Sequence, residues 1–207
     1  MYPPLIEHLI EKFQVLPSVG PKTAEQYVFA LKKLSKEEIH ALAKAIQGLI
    51  TLTTCALCNA LTDEGKYCTI CRDDTRKRNV LMVLESEPDM ESIEKTKRYP
   101  GLYYLLGEVN KFVSPPLRGS EINEVAIQAL VKRLKESKPA IEEIILAFDV
   151  TPQMELSLFE IKQALKKAGL GETLKISRLG HGLPTGADLR YADTQTILGA
   201  LKHREKM

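Results

Sequence analysis

The sequence contains no tryptophan, and aromatic residues make up only 6% of its 207 residues. This argues against a surface that binds nucleic acid mainly by stacking bases on aromatic rings. The net charge of +2 is small, so any affinity for DNA must come from local placement of Lys and Arg. No apolar run approaches a membrane span, and the opening MYPPLIEHLIEKF is amphipathic rather than a secretory signal, which favours a cytoplasmic protein.

Cysteine is also scarce, and all four cysteines fall in the stretch CALCNALTDEGKYCTIC as two C-x-x-C pairs, Cys55/Cys58 and Cys68/Cys71. Each pair can bind one side of a metal ion from a tight turn, and a short hairpin between the pairs brings four thiolates together. Four sulfur ligands with no open position fit a structural Zn²⁺ ion rather than a catalytic one. The alternatives are disulfides or unrelated buried thiols, and the spacing favours zinc.

The first 54 residues carry a helical pattern of apolar residues throughout. The first helix is predicted to end at Leu16-Pro17, because proline disfavours a helical conformation in the residue before it. Pro21 begins a second helix, and the capping box Ser35-Lys36-Glu37-Glu38 begins a third. Four apolar side chains of the third helix are expected to face inward: Ile39, Leu42, Ala43 and Ile46.

The segment LPSVGPKTA between the first two helices is a candidate DNA contact. A tight turn before a helix points backbone N–H groups outward, so Val19, Gly20 and the neighbouring Lys22 can hold a DNA phosphate without reading the base sequence. The segment resembles a helix-hairpin-helix motif, whose usual hairpin is Gly-hydrophobic-Gly, and Ser18 stands where the first glycine is expected. The alternative is a plain helical hairpin that only packs.

From Asn79 onward, short apolar strands alternate with helical segments. The run Val80–Leu84 is apolar throughout, as expected of a buried strand in a parallel sheet. Further strands are predicted over 102–106, 144–148 and 174–179, with helices after Pro88 and over 123–134 and 155–167. This alternation predicts an α/β layer built on a parallel sheet.

Two acids, Glu85 and Asp149, follow predicted strands, and ligands of parallel sheets gather at the carboxyl ends of strands. Paired carboxylates indicate a divalent metal ion, but phosphoryl chemistry usually needs more of them. Thr151 stands where a second aspartate would complete a D-x-D pair. The alternative is that these acids cap helices or contact a partner.

The closing block GHGLPTGADLRYAD is rich in glycine but lacks the G-K-[ST] of a nucleotide-binding P-loop. A phosphate contact and a purely structural loop both remain open for it. Asp193 is expected to cap a final helix over 194–202.

Taken in order, LPSVGPKTA, the four cysteines, VLMVLESEPDM, GLYYLLG and HGLPTGADLRYAD resemble the RecR family of bacterial recombination mediators over nearly the whole chain. The last block and the cysteine spacing are the specific part. The resemblance implies an α/β multidomain protein with four regions. These are a helix-hairpin-helix region over 1–54, a four-cysteine zinc finger over 55–78, a Toprim domain over 79–178, and a glycine-rich segment with a helix over 179–207.

The resemblance also implies a function that composition does not show. RecR proteins are described as non-enzymatic mediators of DNA repair that assemble, typically as a tetrameric ring, and act with RecO and RecF to load RecA at single-stranded gaps. Carried over, Lys22 would contact DNA, the four cysteines would hold structural Zn²⁺, and Glu85 with Asp149 would belong to the surface that meets RecO or RecF. Gln26 stands where many members have a basic residue.

Two other functions are compatible with the same residues. The first is a Mg²⁺-dependent Toprim enzyme, such as a nuclease or topoisomerase-like factor, that uses Glu85 and Asp149. Such an enzyme would cleave or relax plasmid DNA, and Glu85→Gln would abolish this activity. A zinc-ribbon transcription or RNA-processing factor would prefer RNA or a polymerase over gapped DNA. The mediator hypothesis is preferred because the carboxylate set is incomplete at Thr151.

Overall fold

The structure is a computed structural model and describes residues 2–63, 65–106, 124–148, 152–180 and 182–204. The chain divides into two compact units, Met1–Leu52 and Thr53–Met207. None of the described helices is long and apolar enough to span a membrane.

The N-terminal unit is helical, as predicted. Helices α1 (Pro4–Phe13) and α2 (Pro21–Leu31) pack against each other, and each begins at a proline whose missing N–H removes no hydrogen bond from the first turn. Helix α3 (Lys36–Gly48) begins at the predicted capping box and continues into a 3₁₀ turn, Leu49–Thr51. In that box the backbone N–H of Glu38 donates to Ser35 Oγ at 3.2 Å, and the N–H of Ser35 donates to Glu38 Oε2 at 2.8 Å.

The prediction that the apolar face of α3 points inward is wrong for this chain. Ile39, Leu42 and Ile46 are 41%, 40% and 55% exposed, and Ala43 is exposed as well. Periodicity identified the apolar stripe correctly, but it cannot say what covers that stripe. Within residues 2–52, which the structure describes completely, only Ala24 and Val28 are buried, and both lie on α2. The short α1–α2 pair does not bury the apolar face of α3.

The larger unit contains the predicted parallel sheet. Strands β1 (Thr53–Thr54) and β2 (Leu61–Thr62) form a small antiparallel hairpin, and helix α4 (Thr69–Arg72) follows it. Four further strands lie in the order β4-β3-β5-β6, all parallel to their neighbours: β3 (Val80–Leu84), β4 (Leu102–Leu105), β5 (Glu143–Leu146) and β6 (Lys175–Arg178). The intervening helices are α5 (Glu87–Glu94), α6 (Glu124–Glu136) and α7 (Pro152–Lys167).

The two faces of this sheet are covered differently, because successive side chains of a strand point to opposite faces. Leu81 and Val83 of β3 belong to a core formed with helices α6 and α7. Met82 and Leu84 belong to a second core that includes all four cysteines, with α5 packed against it. The cysteine hairpin therefore packs on one face of the sheet and belongs to the hydrophobic core on that face.

The chain closes with a 3₁₀ turn, Leu189–Tyr191, and helix α8 (Thr194–Lys202). The predicted cap is confirmed, since the backbone N–H of Thr196 donates to Asp193 Oδ1 at 3.0 Å. Residues 107–123 and His181 of the glycine-rich block lie outside the described residues.

Candidate functional site

The four cysteines come together as one group. Their sulfur atoms all lie within 4.8 Å of one another, Cys58 Sγ is 3.5 Å from Cys68 Sγ, and all four side chains are buried. The thiols are free, so the disulfide alternative is excluded. A tetrahedral Zn²⁺ ion with Zn–S bonds of about 2.3 Å would hold its sulfurs roughly 3.8 Å apart. The donor set therefore fits a closed four-sulfur metal site.

Local backbone geometry produces this arrangement. The N–H of Cys55 donates to the carbonyl of Ala60 at 2.7 Å, and the N–H of Asn59 donates to the carbonyl of Cys55 at 2.9 Å, which closes a tight turn around the first pair. Asn59 has φ 64°, a left-handed conformation that asparagine tolerates better than most residues. In the second pair, Cys68 directly precedes α4 and Cys71 lies within that helix.

The thiols differ in how readily they ionise. Burial opposes ionisation of Cys55, but hydrogen bonds from the backbone N–H groups of Cys68, Leu57 and Cys58 outweigh it and bring its pKa down to about 7. A hydrogen bond with the Cys71 side chain, together with burial, raises the pKa of Cys58. Burial also raises the pKa of Cys68 to about 11. Four thiolates this close repel one another, so a bound cation is needed to ionise them all.

The first cysteine turn also covers the outer edge of the parallel sheet. The N–H of Leu105, in the edge strand β4, donates to the carbonyl of Cys58 at 2.8 Å, and Asn59 Nδ2 donates to the carbonyl of Leu105 at 2.9 Å. Arg133 of α6 holds the same turn through a hydrogen bond from Nε to the carbonyl of Leu57 at 3.1 Å. The metal-binding group thus shields backbone groups that would otherwise form an open sheet edge.

The candidate DNA contact lies in the N-terminal unit, at the turn between α1 and α2. Ser18 has φ 63°, so the serine adopts the left-handed conformation that a glycine would favour at this position. The N–H of Val19 donates to the carbonyl of Leu16 at 3.2 Å, so this N–H closes the turn and does not point outward as expected. Gly20 is the extended residue that precedes α2. Lys22 lies in the first turn of α2 and is exposed.

The structure places one of the two strand-end acids. Glu85 directly follows β3 at its carboxyl end and is half-buried, whereas Asp149 and Thr151 lie outside the described residues. Glu155, the next acid along the chain, forms an ion pair with Arg178 Nη1 at 3.0 Å. In the described part of the chain, the cysteines are the group of metal-ligating side chains that converge on one point.

Arg76, in the segment between the cysteine group and β3, makes an interaction that the sequence does not predict. Arg76 donates from Nη1 and Nη2 to the two carboxylate oxygens of Glu94, at 2.9 and 2.5 Å, and from Nη1 to the carbonyl of Gly101 at 3.1 Å. The hydroxyl of Tyr103 also donates to Glu94, at 2.5 Å. The hydrogen bond from Arg76 lowers the pKa of Glu94. No local sequence pattern indicates a partner so distant in the chain.

These features define a helix-hairpin-helix protein that carries a four-cysteine metal-binding group on a parallel α/β sheet. A family model described as RecR, helix-hairpin-helix, matches residues 6–50. The chain is 35% identical over 207 residues to the Recombination protein RecR of Lacticaseibacillus casei, covering 100% of this chain and 99% of that protein. It is 34% identical over 208 residues to the Recombination protein RecR of Streptococcus thermophilus, covering all of both chains. The chain therefore belongs to the RecR family.

Proposed function

We propose that the protein is a DNA-repair and recombination mediator that binds DNA through the hairpin Val19–Gly20 and Lys22 and acts with RecO and RecF to load RecA at single-stranded gaps. The four cysteines hold one structural Zn²⁺ ion, and Glu85 with Asp149 contributes to the surface that meets RecO or RecF. The protein performs no catalysis of its own. The full-length similarity to proteins named Recombination protein RecR supports the recombination role.

The conformation of Ser18 is the observation that carries the DNA-binding part of this proposal. With φ 63°, the serine allows the same sharp bend before α2 that the glycine of the motif provides. Gly20 then precedes the helix in an extended conformation, and Lys22 is exposed beside the positive end of the helix dipole. Backbone N–H groups and a lysine at a helix start suit a phosphate group and carry no base information.

The test of the hairpin is Lys22→Ala, with Lys44→Ala as a control that removes an exposed lysine from α3 in the same unit. Lys22→Ala is expected to weaken binding to gapped DNA similarly across sequences and to reduce the slope of log K against log salt by about 1. Fluorescence anisotropy over a salt series measures this slope. An unchanged slope for Lys22→Ala, or an equal change in both variants, would remove the hairpin as the DNA contact.

The exposed stripe of α3 supports the proposed homotetramer. Ile39, Leu42 and Ile46 form an apolar face that nothing within residues 2–52 covers, and the adjoining Leu49 and Ile50 are 64% and 86% exposed. A contiguous apolar face of this kind usually marks an interface. Light scattering of the metal-loaded protein is expected to give four times the chain mass of 23.2 kDa, and Ile39→Lys/Ile46→Lys is expected to lower it. A strict monomer at every concentration would contradict the ring.

A further inference from the structure

Three exposed cations cluster where two loops of the larger unit meet. Lys77 lies in the segment that leads from the cysteine group into β3, and Lys97 and Arg98 lie in the loop between α5 and β4. The N–H of Lys77 donates to the carbonyl of Pro100 at 2.9 Å, so the two segments are in direct contact. We call Lys77, Lys97 and Arg98 the basic patch.

Arg76 fixes the two segments against each other. Its guanidinium donates to Glu94 at the end of α5 and to the carbonyl of Gly101, just before β4, so it bonds to both ends of the loop that carries Lys97 and Arg98. The Arg76 guanidinium also lies over the ring of Tyr103, 5.9 Å from the ring centre. The loop that carries Lys97 and Arg98 is therefore anchored at both ends, beside the segment that carries Lys77.

Four acids of this region form ion pairs with three cations outside the basic patch. Arg76 pairs with Glu94 and Asp73, at 2.5 and 3.6 Å. Separate ion pairs take up the two other acids, Arg78 with Asp74 at 2.7 Å and Lys95 with Glu91 at 3.7 Å. No ion pair in the described part of the chain includes a member of the basic patch. With the three cations of the basic patch added to these three cations and four acids, the region carries a net charge of +2, as much as the whole chain.

We propose that the basic patch is a second DNA contact, binding the phosphate backbone without reading sequence. This inference rests on the proposed function only in taking DNA as the polyanion. Protein interfaces are usually anchored by buried aromatic or apolar side chains and are depleted in lysine. Residues 65–106, all described, contain no large apolar side chain among the exposed ones. Exposed Lys and Arg with no apolar anchor fit a phosphate backbone better than an acidic protein surface.

The test uses the full chain with metal bound and compares two triple variants. Lys77→Gln/Lys97→Gly/Arg98→Gln removes the basic patch, and Lys162→Gln/Lys166→Gln/Lys167→Gln removes the same charge from exposed positions of α7. Binding to gapped duplex DNA is measured over a salt series. The basic-patch variant is expected to lower the slope of log K against log salt by about 2 to 3, and the α7 variant to leave it unchanged.

Glycine is chosen at position 97 to separate charge from folding. Lys97 has φ 54°, a left-handed conformation that glycine adopts without strain. Lys97→Gly alone is therefore expected to keep or raise the melting temperature while it weakens DNA binding. A loss of binding in a protein that is no less stable cannot be attributed to unfolding.

Each outcome has one meaning. An unchanged slope in the basic-patch variant, while Lys22→Ala still lowers it, overturns this inference and leaves the proposed function standing. This result would favour an acidic protein surface as the partner of the basic patch. Equal slope changes in both triple variants also overturn it, because net charge alone would explain them. A wild-type protein that does not bind DNA at all overturns the proposed function, and this inference with it.

Discussion

The two units of this chain differ in how much of their apolar surface they bury. Residues 2–52 bury only Ala24 and Val28, while the described part of Thr53–Met207 contains two core clusters, one on each face of the sheet. A small domain with so little core is marginal without a partner, a metal ion or self-association. The larger unit has four cysteines that could hold such a metal ion, whereas the helical unit has an exposed apolar face. The difference locates intrinsic stability in the sheet and predicts that the helical unit, the proposed DNA contact, depends on assembly for its stability.

Of the changes considered, removing a metal ligand is expected to lower stability most, and the loss should occur in the larger unit. Cys58→Ser is expected to release the metal and to lower the free energy of unfolding by several kcal/mol, because metal binding to such sites contributes directly to folding. The loss should spread to the sheet, since the carbonyl of Cys58 accepts from the N–H of Leu105 in β4. Metal content and thermal unfolding followed by near-ultraviolet circular dichroism are the measurements.

Ala56→Ser is the matched control for this prediction. Ala56 lies in the same turn and is exposed, and its N–H donates to the carbonyl of Lys66, a bond that the substitution leaves intact. The control should keep its metal and its stability. A Cys58→Ser protein with full metal content and an unchanged melting temperature would show that three sulfurs are enough to bind the metal. It would also show that the complete four-cysteine site is not needed for the stability of the larger unit.

Breaking the Arg76–Glu94 pair is expected to have an intermediate effect, again confined to the larger unit. The two side chains are only 15% and 25% exposed, so Arg76→Met leaves a partly buried carboxylate without its cation and is expected to cost about 2 kcal/mol. Arg78→Met, which removes only an exposed pair with Asp74, is expected to cost less than about 0.5 kcal/mol. Urea unfolding of both variants at pH 7 measures the difference. Equal costs would contradict the anchoring role.

The cost of Arg76→Met should also depend on pH. Because the hydrogen bond from Arg76 lowers the pKa of Glu94 below its ordinary value of 4.5, this stabilisation is fully present above pH 4.5 and is lost as the pH falls through the lowered value. The gap in unfolding free energy between wild type and Arg76→Met is therefore expected to shrink in acid. A gap that stays constant between pH 7 and pH 3 would show that Arg76 stabilises by packing alone.

Local patterns predicted most of the elements in both units but not their contacts. The capping box of α3, the apolar run of β3 and the C-x-x-C spacing each act over a few residues, so the sequence shows them directly. The cover that Cys58 gives to β4 and the Arg76–Glu94 pair join residues far apart in the chain and leave no periodic signal. The prediction that the apolar face of α3 is buried was wrong for a related reason. An apolar stripe indicates that some surface covers it, but not that this surface belongs to the same chain.

The smallest predicted effect tests the helical unit at Ser18. The left-handed conformation costs an L-residue about 1–2 kcal/mol, and replacing it with glycine removes this cost. Part of the gain is cancelled, because glycine has more conformational freedom in the unfolded chain and loses more entropy on folding. Ser18→Gly is therefore expected to stabilise the protein by roughly 0.5 kcal/mol. Thermal unfolding followed by the helical signal at 222 nm measures it.

Ser35→Gly provides a control of opposite sign in the same unit. Ser35 has φ −66° and caps α3, so glycine there removes a capping hydrogen bond without relieving strain and is expected to cost a few tenths of a kcal/mol. If Ser18→Gly destabilises instead, the Ser18 hydroxyl compensates the strained backbone with a hydrogen bond of its own. The hairpin would then be held by its side chain, and the helical unit would depend less on assembly than its small core indicates.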